Sequence, residues 1–452
     1  MRKTRREFLE LVAATVAGGT TLCCVRGADL PADSAALLEF FAACEAGRVD
    51  QARALLRGSP ELLHSRDANG RSPFAVALLA GQRPIADMLR AAGYTCDLHE
   101  AALALDWDRF NMLASEAGEN IVDLANSNHP LGGTAMFAAA AGGAGAEIWR
   151  VYAVSADPNP AVGAGGLSPL QKALRFPDLG IAEMTAATLL GNNADPNLAG
   201  SGDAPPLQIA AARGSVPLVE MLIRLGGNVV ERDRNGMSAV EAARAGGHSD
   251  VEKLLAKHAL IPRSFRTPRT VIDGSGRPYT PVDLSDISIS SRSAFVGKSH
   301  GDLEYVTEAV NADPRWVHSV AVTNEICVEA CAHTGRKPIV DFLLAHGAPY
   351  TLPTAVMRSD YPMIERMLRE DPNRIHERGA HDFPLLWYPV IGGCDLRMTE
   401  FLLSHGASVE HQHFLGTTAV HWACLRGPVE LVSFLVDRGA DVNRVGRKFS
   451  AK

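Results

Sequence analysis

Apolar residues in this chain recur at helical spacing in short runs, and most runs end at a glycine. Between Pro84 and Ala92 they fall at Ile85, Met88 and Leu89, one face of a short helix that Gly93 closes. The same bracket returns at Gly81 and Gly93, Gly214 and Gly226, Gly335 and Gly347, and Gly427 and Gly439. Each pair encloses an apolar doublet at a fixed place: Met88-Leu89, Met221-Leu222, Phe342-Leu343 and Phe434-Leu435. A second helix precedes each bracket. From Asp67 to Gly81, Asn69-Gly70 reads as a turn, Ser72 as an N-cap and Pro73 as a first helical residue. A small-residue run follows, and Gly81 is expected to end it in the left-handed conformation, as Gly427 is in the last unit. A fixed period of this kind predicts stacked helical hairpins.

The grammar recurs at Ser168-Pro169-Leu170, at Pro206-Leu207-Gln208-Ile209-Ala210-Ala211 and at Asn235-Gly236-Met237-Ser238, and most completely from Gly416 to Gly427. Gly439-Ala440-Asp441-Val442-Asn443 forms a second motif, with variants at Ala194-Asp195-Pro196-Asn197 and Ala156-Asp157-Pro158-Asn159. Together these features resemble the ankyrin repeat, a unit of ~33 residues built from a β-turn and two helices. The resemblance implies an all-α fold, an ankyrin-repeat α-solenoid of helix-turn-helix units with short β-hairpin loops. One stretch, Asp97 to Asp123, has the helical apolar content but lacks the glycine punctuation.

Two repeat blocks are expected, at 34–260 and 293–452, joined over 261–292 where Pro262, Pro268, Pro278 and Pro281 break the helical pattern. That joint reads either as a flexible linker or as an ordered excursion packed along the stack. Its Arg263, Arg266, Arg269 and Arg277 are expected on a solvated surface. Pro60–His64, Pro314–His318 and Pro372–His376 share one spacing after a second helix, which points to one loop type used three times.

Residues 1–28 stand apart. Thr4-Arg5-Arg6-Glu7-Phe8-Leu9 resembles a twin-arginine export signal, with Glu10 where a basic residue is common. The run Leu9–Leu22 is too short to span a membrane, and Val25-Arg26-Gly27 has the small residues of a cleavage site. Export to the periplasm or cell envelope of a bacterium is the expectation, with no stable membrane span once the signal is removed. A net charge of −7 argues against a general nucleic-acid binder. The eight cysteines do not form a disulfide framework, and Cys44, Cys331 and Cys424 are expected as small buried hydrophobes between helices.

Catalytic signatures fail on inspection. Gly297-Lys298-Ser299 lacks the upstream glycine of a phosphate loop, and Gly142-Gly143-Ala144-Gly145 lacks a dinucleotide fingerprint. Cys327 and Cys331 share a helix face with His333 close by, but a structural zinc needs four ligands and no fourth is evident, so core packing is expected. His411 and His413 alternate in a predicted hairpin near His405 and His421, which leaves open a surface metal site beside the plainer reading of polar hairpin tips. No catalytic, cofactor-binding or metal residue, no cofactor and no small-molecule substrate are assigned.

Solenoids bind along an extended concave face. By resemblance, the contact positions fall on Arg234, Asn235 and Met237 in one hairpin, and on Phe414, Leu415, Thr417, Trp422, Leu425 and Arg426 in the last repeat. Phe414 and Leu415 at a loop tip are exposed to solvent unless a partner or a neighbouring repeat covers them. The expected function is a protein-binding module with no catalysis of its own. A metal-dependent or redox enzyme of the cell envelope, and a structural companion co-exported with an enzyme, are the alternatives.

Overall fold

The computed structural model describes residues 32–161, 166–200, 203–259, 271–273 and 277–444. The export-signal segment lies outside these residues, as do Arg263, Arg266 and Arg269 of the joint. Among the described residues the fold is all-α: antiparallel helix pairs follow one another from Ala32–Glu45 and Val49–Gly58 to Ala419–Arg426 and Val429–Asp437. First helices of neighbouring pairs pack on each other, as Leu98–Ala104 does on Ala135–Gly142 and Pro206–Ala212 on Ala239–Ala245. The result is an ankyrin-repeat solenoid. Isolated bridges close the hairpin loops, at His129 with Gly133, Arg232 with Ser238, Val320 with Ile326 and Arg378 with Pro384.

The local chemistry explains each hairpin. Ser72 Oγ accepts from Ala75 N at 2.9 Å with Pro73 behind it, and Ser168 and Ser238 form capping boxes with Gln171 and Glu241. Seven of the eight bracket glycines have positive φ, from +74° at Gly81 to +98° at Gly93. Gly427 is the exception: its φ is −91°, extended backbone, so it is not a left-handed cap. Pro428 follows directly and ends the helix instead. In the unit without the usual bracket glycine, Leu105 takes the left-handed position at φ +60° between Leu98–Ala104 and Trp107–Ala117.

Asparagines of the Ala-Asp-Pro-Asn motif tie successive repeats together. Asn159 Nδ2 donates to the Asn193 carbonyl at 2.8 Å, and Asn159 Oδ1 accepts from Asp195 N at 2.6 Å. Asn197 repeats the arrangement with the Gly226 carbonyl and Asn228 N. The three Pro–His loops each fold as a five-residue 3-10 turn, Pro60–His64, Pro314–His318 and Pro372–His376.

Two hydrophobic cores form, one from Phe40 to Leu255 and one from Ile272 to Ala440. Where it is described, the joint packs on the second. Ile272 pairs with Tyr350 (Tyr350 N to Ile272 O, 2.7 Å), Tyr279 meets His318 Nδ1 at 2.6 Å, and Arg315 forks onto Asp286 at 3.0 Å. Cys44 and Cys331 are fully buried as expected, but Cys424 is exposed.

Candidate functional site

The two blocks meet along a seam. Hairpin tips of the second block reach the C-terminal ends of second helices in the first. Asn193 Nδ2 donates to the Val322 carbonyl at 3.4 Å, Arg224 bridges to the Asp382 carboxylate, and Phe414 lies over Gly191. Val322 and Phe414 pack against the first core, although both belong to the second block. Between the contacts lies a cavity of about 180 Å³, with Pro217, Met221 and Arg224 on one side and Arg378, His411 and Phe414 on the other. Arg378 donates to the Gln412 carbonyl at 2.6 Å and sits beside Asp382; burial pulls its guanidinium down to about 10, although Asp382 opposes the shift.

Beside the seam, histidines gather on one buried carboxylate. His300 caps the helix Ile289–Ser299, Glu325 sits in the next hairpin, and His333 ends the helix Cys327–His333. His381 comes from the hairpin at 378–384 and takes a left-handed backbone, φ +51°. Glu325 is 3% exposed. Its oxygens lie 3.6 Å from His300 Nε2, 3.1 Å from His333 Nδ1 and 3.3 Å from His381 Nε2. Burial would raise this carboxyl, but the His381 and His333 imidazoles hold it well below the usual carboxylate range. Burial lowers His300, partly offset by Glu325.

A second buried carboxylate shows the contrast. Glu100, 1% exposed, accepts from Tyr94 Oη at 2.8 and 2.9 Å and from Ser72 Oγ, so hydroxyl donors saturate it. Nearby, Asp97, His99 and His129 also group together, but their polar atoms are already committed. His129 Nε2 pairs with Asp97 Oδ2 at 2.9 Å, His99 Nε2 with the Ser127 carbonyl at 3.2 Å, and Asp97 Oδ1 caps the next helix.

The sequence-predicted contact residues separate into two sets. Arg234, Asn235 and Met237 stand on an exposed hairpin tip that Asp233 Oδ1 holds by accepting from Asn235 N and Met237 N at 2.9 Å. Leu425 is 72% exposed, and Arg426 is exposed beside the Trp422 ring. The other four are engaged inside the molecule. Leu415 is buried, Phe414 fills the seam, and Trp422 Nε1 donates to Thr417 Oγ1 at 3.1 Å. Trp422 also stacks edge-on against the buried Trp387 at 4.0 Å, so both tryptophans serve packing. The loop-tip position of Phe414 and Leu415 is therefore not a free docking surface: the first block covers Phe414, and Leu415 is buried.

Cys327 and Cys331 are fully buried in the second core, as the sequence led one to expect. Cys327 Sγ donates to the Val317 carbonyl at 3.0 Å and Cys331 Sγ turns back on its own helix, both away from His333. His413 is buried and stacks on Phe383 at 4.2 Å, whereas His411 sits edge-on to His376, so the alternating pair does not converge. His300, Glu325 and His381 were not singled out from the sequence. One signal for the first was present: His300 and His333 are one repeat length apart (333 − 300 = 33) at the ends of successive first helices.

Comparison with known proteins agrees with this architecture. Residues 352–445 match the family model for ankyrin repeats, in three copies. The chain is similar to the ankyrin repeat and KH domain-containing protein mask-1 of Caenorhabditis elegans, 27% identical over 256 residues. That alignment covers 52% of this chain and 8% of the relative, so the chain spans less than a tenth of that protein. Ankyrin repeats are present in the chain, and repeats of this kind indicate a protein-interaction module.

Proposed function

We propose that this chain is an exported module that binds a protein partner and has no catalytic activity of its own. The observation that carries the reading is the exposed half of the expected contact set. Arg234, Asn235 and Met237 project from a hairpin that its own Asx turn fixes, and Leu425 stands in the open beside Val429, 75% exposed. Apolar and basic side chains held rigidly outward suit a protein surface, since little entropy is lost on docking. Arg5 and Arg6 support export, and among the described residues no helix is long and apolar enough to cross a membrane.

Two experiments test the proposal. Cross-linked envelope extract should yield a partner captured by the wild type and lost with Arg234→Glu plus Met237→Asp, while the melting curve stays unchanged. Equal capture by that variant would refute the contact assignment. A reporter fused to residues 1–28 should leave the cytoplasm, and Arg5→Lys with Arg6→Lys should retain it; a reporter indifferent to that change would refute twin-arginine export.

A further inference from the structure

We propose that His300, Glu325, His333 and His381 form a binding site for one zinc-class divalent ion, clamping two successive repeats to the hairpin at 378–384. One ligand atom from each residue lies within 4.8 Å of all the others. Three independent features fit the ion better than hydrogen bonding alone.

The first is distance. An ion held tetrahedrally at ~2.0–2.2 Å sets its ligand atoms roughly 3.3–3.6 Å apart. Charge-assisted hydrogen bonds between nitrogen and carboxylate run shorter, at ~2.7–2.9 Å. The separations from Glu325 are 3.3 Å for His381 Nε2 and 3.6 Å for His300 Nε2; His333 Nδ1, 3.1 Å from Glu325, faces the Glu329 carbonyl at 2.9 Å, which puts its proton there and leaves Nε2 as the His333 ligand atom. The second is the unmet acceptor. Glu325 Oε1 is fully buried and receives no hydrogen bond, although His300 and His333 both touch it. A buried carboxylate oxygen of this kind is destabilising unless a cation or donor meets it. The third is the outer contact. His300 Nδ1 faces the Val296 and Gly297 carbonyls at 3.1 Å, which puts the proton on Nδ1 and turns the Nε2 lone pair inward. Metal-bound histidines are commonly oriented through a backbone carbonyl in this way.

The donor set selects the ion. Three imidazoles and one carboxylate suit zinc better than calcium or magnesium, which prefer oxygen ligands. Four protein ligands, one buried and three partly buried, describe a closed, structural site. Binding would couple the repeat ending at His300 and the repeat ending at His333 to the hairpin that carries Asp382. Asp382 in turn bridges to Arg224 of the first block, so the ion would also stiffen the seam.

The full chain, tag removed and stripped with chelator, should take up one equivalent of zinc, with a melting temperature that rises with zinc concentration. Cobalt(II) should give the visible absorption of a tetrahedral complex. His381→Ala and Glu325→Gln should each weaken binding roughly 100-fold or more, beyond the 10–100-fold typical of outer-shell losses. Glu325→Gln keeps the shape of the side chain, which guards against simple misfolding, and His129→Ala at the histidine group of the first block should leave the affinity unchanged. Absence of a stoichiometric ion, octahedral cobalt, or equal binding by Glu325→Gln would overturn the site.

Discussion

Phe414 decides whether the last hairpin tip faces a partner or the chain itself. Its ring packs over Gly191, and a Cβ built on Gly191 would lie 2.7 Å from Phe414 Cδ1. A phenylalanine largely covered in this way buries roughly 100–150 Å². At ~25 cal/mol/Å² that is about 3 kcal/mol, of which truncation to alanine should remove about 2–3. For a block of this size the melting temperature should fall by about 4–12 °C. The partner substitution sharpens the test. Gly191→Ala should destabilise the wild type by about 1–2 kcal/mol through the clash with the ring. In the Phe414→Ala background the clash is gone, and the same change should be neutral or stabilising by up to about 1 kcal/mol, because alanine is the better helix former. Circular dichroism melts and urea titrations of the four proteins complete the cycle. A Phe414→Ala protein within about 0.5 kcal/mol of wild type, or a Gly191→Ala effect equal in both backgrounds, would refute the seam.

Three further outcomes follow from the packing. Gly427→Val should cost about 1–3 kcal/mol, not through backbone strain but because a Cβ there would meet the Ala423 carbonyl oxygen at 2.8 Å; an unchanged melt would contradict this. Gly379→Ala should cost about 3 kcal/mol or more, since its Cβ would run into the hydroxyl of Tyr388, a fully buried ring; calorimetry reads the loss directly. His99, 2% exposed, is held by burial at about 4, below its ordinary 6.5, so it stays neutral in the folded protein while the unfolded chain protonates. Its contribution is complete above about pH 6.5 and is lost as pH falls towards 4, at up to ~1.4 kcal/mol per unit and about 3 in all. Urea midpoints at about pH 7 and about pH 4.5 should therefore converge in His99→Asn relative to wild type, and an identical slope would count against the buried neutral imidazole.

The repeat architecture was legible in the chain because every hairpin is decided locally. Ser72, Ser168 and Ser238 cap helices within three residues of themselves, and the bracket glycines take positive φ wherever the turn requires it. Even the missing glycine at Leu105 left the apolar spacing of its hairpin readable. Gly427 was misread because glycine also serves where a carbonyl comes too close for a Cβ, and sequence does not separate that use from a left-handed cap.

The seam and the histidine cluster depend on something the period does not encode, which is how far the second block turns back on the first. Phe414 and Asp382 are hairpin-tip residues like Met237, yet they are covered because Gly191 and Arg224 stand opposite them. His300 and His333 keep the repeat spacing, so stacking alone aligns them. Glu325 and His381 join them only through a hairpin closure and a left-handed turn at a departure from the period. Short-range hydrogen bonding and helix periodicity thus specified the units, while the placement of one block's tips against the other's helix ends decided which side chains remain free to act.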